Sequence, residues 1–64
     1  NLDRVIGQIG IVTENIKPLE PGEVKVDGKK WTAIADEEID INDEVKILSI
    51  NGVKLKVEKI KEEN

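Results

Sequence analysis

The chain has 64 residues, 38% hydrophobic and 38% charged, with a net charge of −4 and a pI near 4.7. It holds no cysteine and no histidine, which excludes a disulfide framework, a thiolate site and imidazole chemistry. The acidic balance opposes nucleic-acid binding, because phosphate neutralisation by basic groups supplies most of that affinity. The hydrophobic residues are nearly all Ile, Val and Leu, types whose stiff side chains pack well on a pleated surface. The mix of Ile, Lys and Glu without Cys, Met, Phe or Tyr resembles thermophile usage. No apolar run approaches the roughly 20 residues needed to span a bilayer, and no signal peptide is visible. A start at Asn1 without Met fits a soluble domain excised from a longer protein.

In chain order, the hydrophobic period is two rather than 3.6. Residues 7–16 predict a first strand, with Gly7 and Gly10 marking a bend, a bulge or a close backbone approach. Residues 17–22, KPLEPG, predict a loop stiffened by Pro18 and Pro21, with Gly22 free to take a positive φ. A second strand over 23–26 and a third over 29–35 flank Asp27-Gly28, a type I′ hairpin signal. The acidic stretch 36–43 breaks the alternation and is too short for more than one helical turn. A fourth strand over 44–50 and a fifth over 53–60 flank Asn51-Gly52, a second hairpin signal. Residues 61–64 predict a disordered tail.

Hairpin arithmetic assigns the faces. A two-residue turn at Asp27-Gly28 pairs Val26 with Lys29, Lys25 with Lys30 and Val24 with Trp31, and cross-strand partners share a face. Val24, Val26, Trp31, Ala33 and Ala35 therefore face the core, while Lys25, Lys30, Thr32 and Ile34 face outward. A turn at Asn51-Gly52 pairs Ile50 with Val53 and Leu48 with Leu55, and turns Val53, Leu55 and Val57 inward. Val45 and Ile47 then share the core with Ile50 only if a bulge occurs near Leu48-Ser49. Five short strands with tight hairpins and a bent first strand predict an all-β, five-stranded OB-fold barrel, since closure removes exposed edges. An SH3-like barrel is the second choice.

Taken in order, the chain carries Gly7 and Gly10, then Glu20, Pro21, Gly22, Val24, Val26, Asp27, Gly28, Trp31 and Ala33, then Asp43, Val45, Ile47, Gly52, Leu55 and Val57. With this pattern, spread between Gly7 and Ile60, it resembles the C-terminal soluble domain of the NfeD family of membrane proteins. It departs at Pro21-Gly22, where the family pattern has an intervening residue and Pro18 is the alternative counterpart. It departs again at Asn42, where glycine is common. The resemblance implies an OB-fold barrel that follows transmembrane helices in the full-length protein, with a ClpP-like serine protease domain in long members. It implies a stomatin- or flotillin-like membrane partner, a non-catalytic role as an interaction module in membrane protein assembly or quality control, and a place on the cytoplasmic side.

Each residue that draws attention has a plainer alternative. Trp31 is the lone aromatic; a base-stacking platform normally uses several aromatics in a basic groove, so the ring is assigned to the core with Val24, Val26, Ala33, Val45, Ile47, Leu55 and Val57. Asp36, Glu37, Glu38, Asp40, Asp43 and Glu44 lack the spacing of a calcium loop. Ser49 is the only serine, with no histidine to activate it. No catalytic, cofactor-binding or metal site is expected. The candidate partner surface is Lys25, Lys30, Ile34, Asp36, Glu37 and Glu38, with Lys54 and Lys56 extending a local basic strip. A module binding oligonucleotides or oligosaccharides is the alternative, by fold analogy alone.

Overall fold

A computed structural model of the chain describes residues 2–61. A 3₁₀ helix, Leu2–Val5, precedes five strands: β1 (Ile9–Glu14), β2 (Gly22–Val26), β3 (Lys29–Ile34), β4 (Glu44–Asn51) and β5 (Lys54–Lys59). They close into a barrel in the order β1-β2-β3-β5-β4, with β4 returning to β1. All pairings are antiparallel except β3 with β5. This is the five-stranded barrel expected from the alternation.

The first hairpin has the expected register: Val26 opposite Lys29, Lys25 opposite Lys30 and Val24 opposite Trp31. Asp27 and Gly28 take φ of 53° and 79°, the two positive values that a type I′ turn requires. The second hairpin departs from expectation by one position. Asn51 pairs with Lys54 and Ile50 with Leu55, so the turn residues are Gly52 and Val53. Gly52 alone has a positive φ, 69°, as a II′ turn places its glycine first. Val53 thus sits in the turn and is exposed instead of facing inward. A bulge does fall between Ile47 and Ser49. It leaves Leu48 outside while Val45 and Ile47 are buried and Ile50 packs against the core.

β1 is shorter than the expected 7–16, and its register shift lies between Val12 and Glu14, while Gly7 takes φ 89° before the strand and Gly10 is where the backbone of Lys25 approaches closely. Beyond β1 the chain runs alongside the acidic stretch. Ile16 and Ile39 exchange backbone hydrogen bonds of 2.9 Å in both directions. The Asn42 amide donates to the Val12 carbonyl, the Val12 amide to the Asp43 carbonyl, and the Ile41 amide to the Asn15 side chain. No helical turn forms over residues 36–43; these bonds to the end of β1 hold the stretch instead. Asn42 has φ 78°, a conformation that asparagine tolerates better than other non-glycine residues. That accounts for its standing at a position where glycine is common.

The core is entirely aliphatic: Val5, Val12, Ile16, Val24, Val26, Ala33, Ala35, Ile39, Val45, Ile47, Leu55 and Val57. Trp31 differs from its assignment. It is half-buried and packs against this cluster from the edge. Its cross-strand partner Val24 is fully buried, as expected. Ile16 and Ile39, from outside the strands, complete the interior.

Candidate partner-binding face

The parallel pairing of β3 with β5 joins the lysine-bearing strand β5 to the first hairpin. Thr32 stands opposite Lys54 and Ile34 opposite Lys56, while Lys25 stands opposite Lys30 across β2 and β3. Strand alternation turns all four lysines outward on one three-stranded surface. Among the described residues, ion pairs join Lys56 to Asp36 (3.2 Å) and Lys59 to Asp43 (3.5 Å) only. Lys25, Lys30 and Lys54 therefore offer positive charge without a carboxylate in contact. Like charges directly opposite on a sheet are mildly unfavourable, so an acidic partner would relieve the Lys25–Lys30 repulsion.

At one end of this surface lies a groove of about 210 Å³, walled by Pro18, Leu19, Glu20 and Pro21 and floored by Ile34 and Ala35, with Asp36 and Lys56 at its rim. The wall is a tight turn in which the Lys17 and Glu20 amides each donate to the other's carbonyl at 3.0 Å. Pro18 fixes one φ inside the turn and Pro21 follows it directly. The turn lifts Leu19 until it is 99% exposed. Ile34, the apolar residue expected on the outer face, is half-buried under this turn. The outward residues of β1 and β4 make a second apolar area, with Ile9, Ile11 and Leu48 exposed.

The expected acidic surface divides. Asp36 pairs with Lys56 at the groove. Glu37 is half-buried and its Oε2 accepts the Lys59 backbone amide at 3.3 Å. Asp43 Oδ2 accepts the Asp40 amide and also meets the Lys59 ammonium. These side chains tie the 36–43 stretch to β5 and to itself. Glu38 is exposed. Among the described residues no group of three or more acidic side chains stands close enough to hold a metal ion. No described helix is long and apolar enough to cross a membrane.

Sequence reasoning did not find Leu19 or the groove. The signal was present as an apolar residue between two prolines, a composition that otherwise denotes only a loop.

Trp31 lies away from the groove, in a hollow of about 160 Å³ shared with Arg4, Gln8, Asp27 and Lys29. Its indole Nε1 is buried without a hydrogen-bond acceptor. An unpaired buried donor costs roughly 1–3 kcal/mol, and an apolar replacement of similar shape removes that cost. Trp31→Phe is therefore expected to change stability by less than about 1 kcal/mol, lost ring contacts being offset by loss of the unpaired N–H. Denaturant unfolding checks this; a loss above about 3 kcal/mol would place the indole in a more demanding role.

Residues 2–59 match the sequence pattern of the NfeD-like C-terminal, partner-binding domain. An uncharacterised protein of Methanocaldococcus jannaschii is 33% identical over 61 residues, which cover 95% of this chain and 44% of that protein. The chain thus spans less than half the length of this curated relative. The C-terminal domain of the stomatin operon partner protein 1510-C of Pyrococcus horikoshii superposes with a TM-score of 0.85 at 29% identity, covering 94% of each chain. A soluble domain from Corynebacterium glutamicum, of a membrane protein implicated in regulation of membrane protease activity, gives 0.83 at 22% identity, covering 92% of this chain and 97% of that one. The soluble domain of the NfeD protein YuaF of Bacillus subtilis gives 0.83 at 23% identity, covering 91% and 76%. The last two likenesses speak to the fold alone.

Proposed function

This chain belongs to the NfeD family, and from that premise we propose that it is the non-catalytic docking module of a longer, membrane-anchored protein, working on the cytoplasmic side. Its partner is a stomatin- or flotillin-like membrane protein, and the pair acts in membrane protein assembly or quality control. The single observation that carries the reading is the match to a partner-binding domain over residues 2–59. The Pyrococcus horikoshii neighbour, itself a stomatin operon partner protein, supports the partner class.

The face that suits this role is the lysine surface of β2, β3 and β5, with Lys25, Lys30 and Lys54 around Thr32 and Ile34 at its end. Unpaired cations on an acidic domain favour a partner segment rich in carboxylates. Such a contact gains in association rate and specificity and weakens with salt.

Titration of the isotopically labelled domain with a stomatin-like protein tests this. Resonances of Lys25, Lys30, Thr32 and Ile34 are expected to shift. The double charge reversal Lys25→Glu, Lys30→Glu is expected to weaken binding about tenfold while leaving the fold unchanged. Absence of shifts at high concentration would count against the partner class. Salt-sensitive binding of single-stranded DNA would instead move the domain to the oligonucleotide-binding alternative.

A further inference from the structure

Outward strand positions in this barrel hold mostly charged or hydroxyl side chains, such as Lys25, Thr32, Lys46 and Lys54, as a solvated sheet face requires. β1 breaks that rule twice. Ile9 and Ile11 are both exposed, and so is Leu48 on the neighbouring strand β4. The three lie together. Ile9 and Ile11 are two residues apart on one strand and share its outer face. Ile9 stands opposite Lys46, which places Leu48 diagonal to it. None of them serves the core, which these two strands fill from their inner face with Val12, Val45 and Ile47. Contiguous exposed aliphatic side chains mark a contact surface.

The register joins this patch to the lysine face. Ile11 stands opposite Lys25, and Lys25 opposite Lys30. One row across β1, β2 and β3 therefore runs from an aliphatic side chain to two cations, neither of which has a carboxylate in contact among the described residues. We infer that the partner segment docking here is both acidic and amphipathic: its aliphatic side chains seat on Ile9, Ile11 and Leu48, and its carboxylates reach Lys25 and Lys30. This rests on the docking reading given above and extends the docking face from β2, β3 and β5 onto β1 and β4. Every strand already has two neighbours in the barrel, so the segment binds through side chains and not as a sixth strand. A protein segment suits the charges better than an anionic bilayer does. Glu44 stands opposite Ile11 on the other flank, and the domain carries a net charge of −4; a lipid surface of one sign repels both. A protein segment can place carboxylates over the lysines alone. The two halves of the contact act differently. The lysines speed encounter and are screened by salt, whereas the aliphatic seat is not screened and slows dissociation.

The double variant Ile9→Thr, Ile11→Thr tests this, because threonine keeps the β-branched shape that suits a strand. Calorimetric titration with a stomatin-like protein is run in low and in high sodium chloride. Affinity is expected to fall about tenfold at both salt concentrations, with an unchanged circular dichroism spectrum. The loss caused by Lys25→Glu, Lys30→Glu should instead shrink in high salt. Leu48→Ser, on the other strand, should weaken binding several-fold independently. Overlapping peptides of the stomatin-like protein should place the binding segment in a stretch that is acidic and amphipathic. Full affinity in the threonine and Leu48 variants overturns this inference and leaves the docking reading standing, as does a binding segment that is basic or wholly polar. Absence of binding by the parent domain removes both. Isoleucine-dependent binding to phosphatidylglycerol vesicles, without binding of the protein, puts a membrane surface in place of the segment and overturns the inference.

Discussion

Gly22→Ala is expected to cost at least about 3 kcal/mol of stability. Gly22 opens β2, is buried, and is not among the residues with positive φ. Its need for glycine is one of space. A Cβ there would run into the carbonyl oxygens of Asn15 and Glu14, the latter at 2.5 Å, and into Ile16 Cγ1 at 2.6 Å. Backbone oxygens at a strand end cannot rotate aside as a side chain can, so relief requires that β1 and β2 separate where they pair at Glu14 and Glu23. Forced overpacking costs roughly 1–3 kcal/mol when side chains can adjust; here the cost is at least the upper figure. A 64-residue domain has on the order of 3–10 kcal/mol in total. Gly10→Ala is the comparison. Its Cβ would meet the Val26 Cγ2 methyl at 2.8 Å and the Lys25 carbonyl at 3.2 Å, a contact that a small shift of one methyl relieves in part. Thermal unfolding should show a fall of more than about 12 °C for Gly22→Ala, at roughly 4–8 °C per kcal/mol, and a distinctly smaller one for Gly10→Ala. A fall of only a few degrees at Gly22 would mean that the two strands can part there without cost.

Gly22 also shows how far the amino-acid pattern carries. In the sequence, a glycine after proline in a loop suggests a turn with positive φ. The constraint comes instead from Glu14 to Ile16, a segment about seven residues away that packs across it, and local pattern holds no information about that approach. The β2–β3 hairpin was legible because alternation and the Asp27-Gly28 turn are both local, and they agree. The second hairpin was less so. Asn51-Gly52 accommodates either a turn centred on the pair or one that starts at glycine, and the bulge at Leu48 decides between them through the burial of Val45, Ile47 and Leu55 together. Trp31 was placed in the core because its cross-strand partner Val24 is there. The side chain is too large for the interior of so narrow a barrel, and it packs at the rim beside Val26 and Val5. At the candidate face, Lys25 and Lys30 followed from the hairpin, and Lys54 and Lys56 from strand alternation. That these strands lie together depends on the parallel β3–β5 contact, which skips β4 in chain order. Leu19 and its groove depend on the path of the loop and had no periodic signal.

Ile39→Ala is expected to cost about 2–5 kcal/mol, the range for truncating a fully buried isoleucine. The residue lies inside the acidic stretch, where composition suggests a solvated loop. Yet it has no solvent exposure, and its backbone exchanges two hydrogen bonds with Ile16, itself fully buried. This pair extends the core beyond the strands, into the acidic connection between β3 and β4. Ile41, two residues on and 51% exposed, is the control, and Ile41→Ala should stay within about 0.5 kcal/mol of the parent. Denaturant unfolding of both variants decides the matter: a loss under about 1 kcal/mol at Ile39 would show that the acidic stretch is dispensable to the core. The two largest effects also meet at one place. Gly22 abuts Glu14, Asn15 and Ile16, Ile39 bonds to Ile16, and Ile41 bonds to the Asn15 side chain. Substitutions at residues that share neighbours do not add. If the Ile39→Ala cavity lets Ile16 move away from β2, then Gly22→Ala should cost less in that background than alone, because one of its three close contacts has been released. A strictly additive pair would mean that the carbonyls of Glu14 and Asn15 carry the whole of the Gly22 constraint, and that Ile16 packs against Ile39 without yielding to β2.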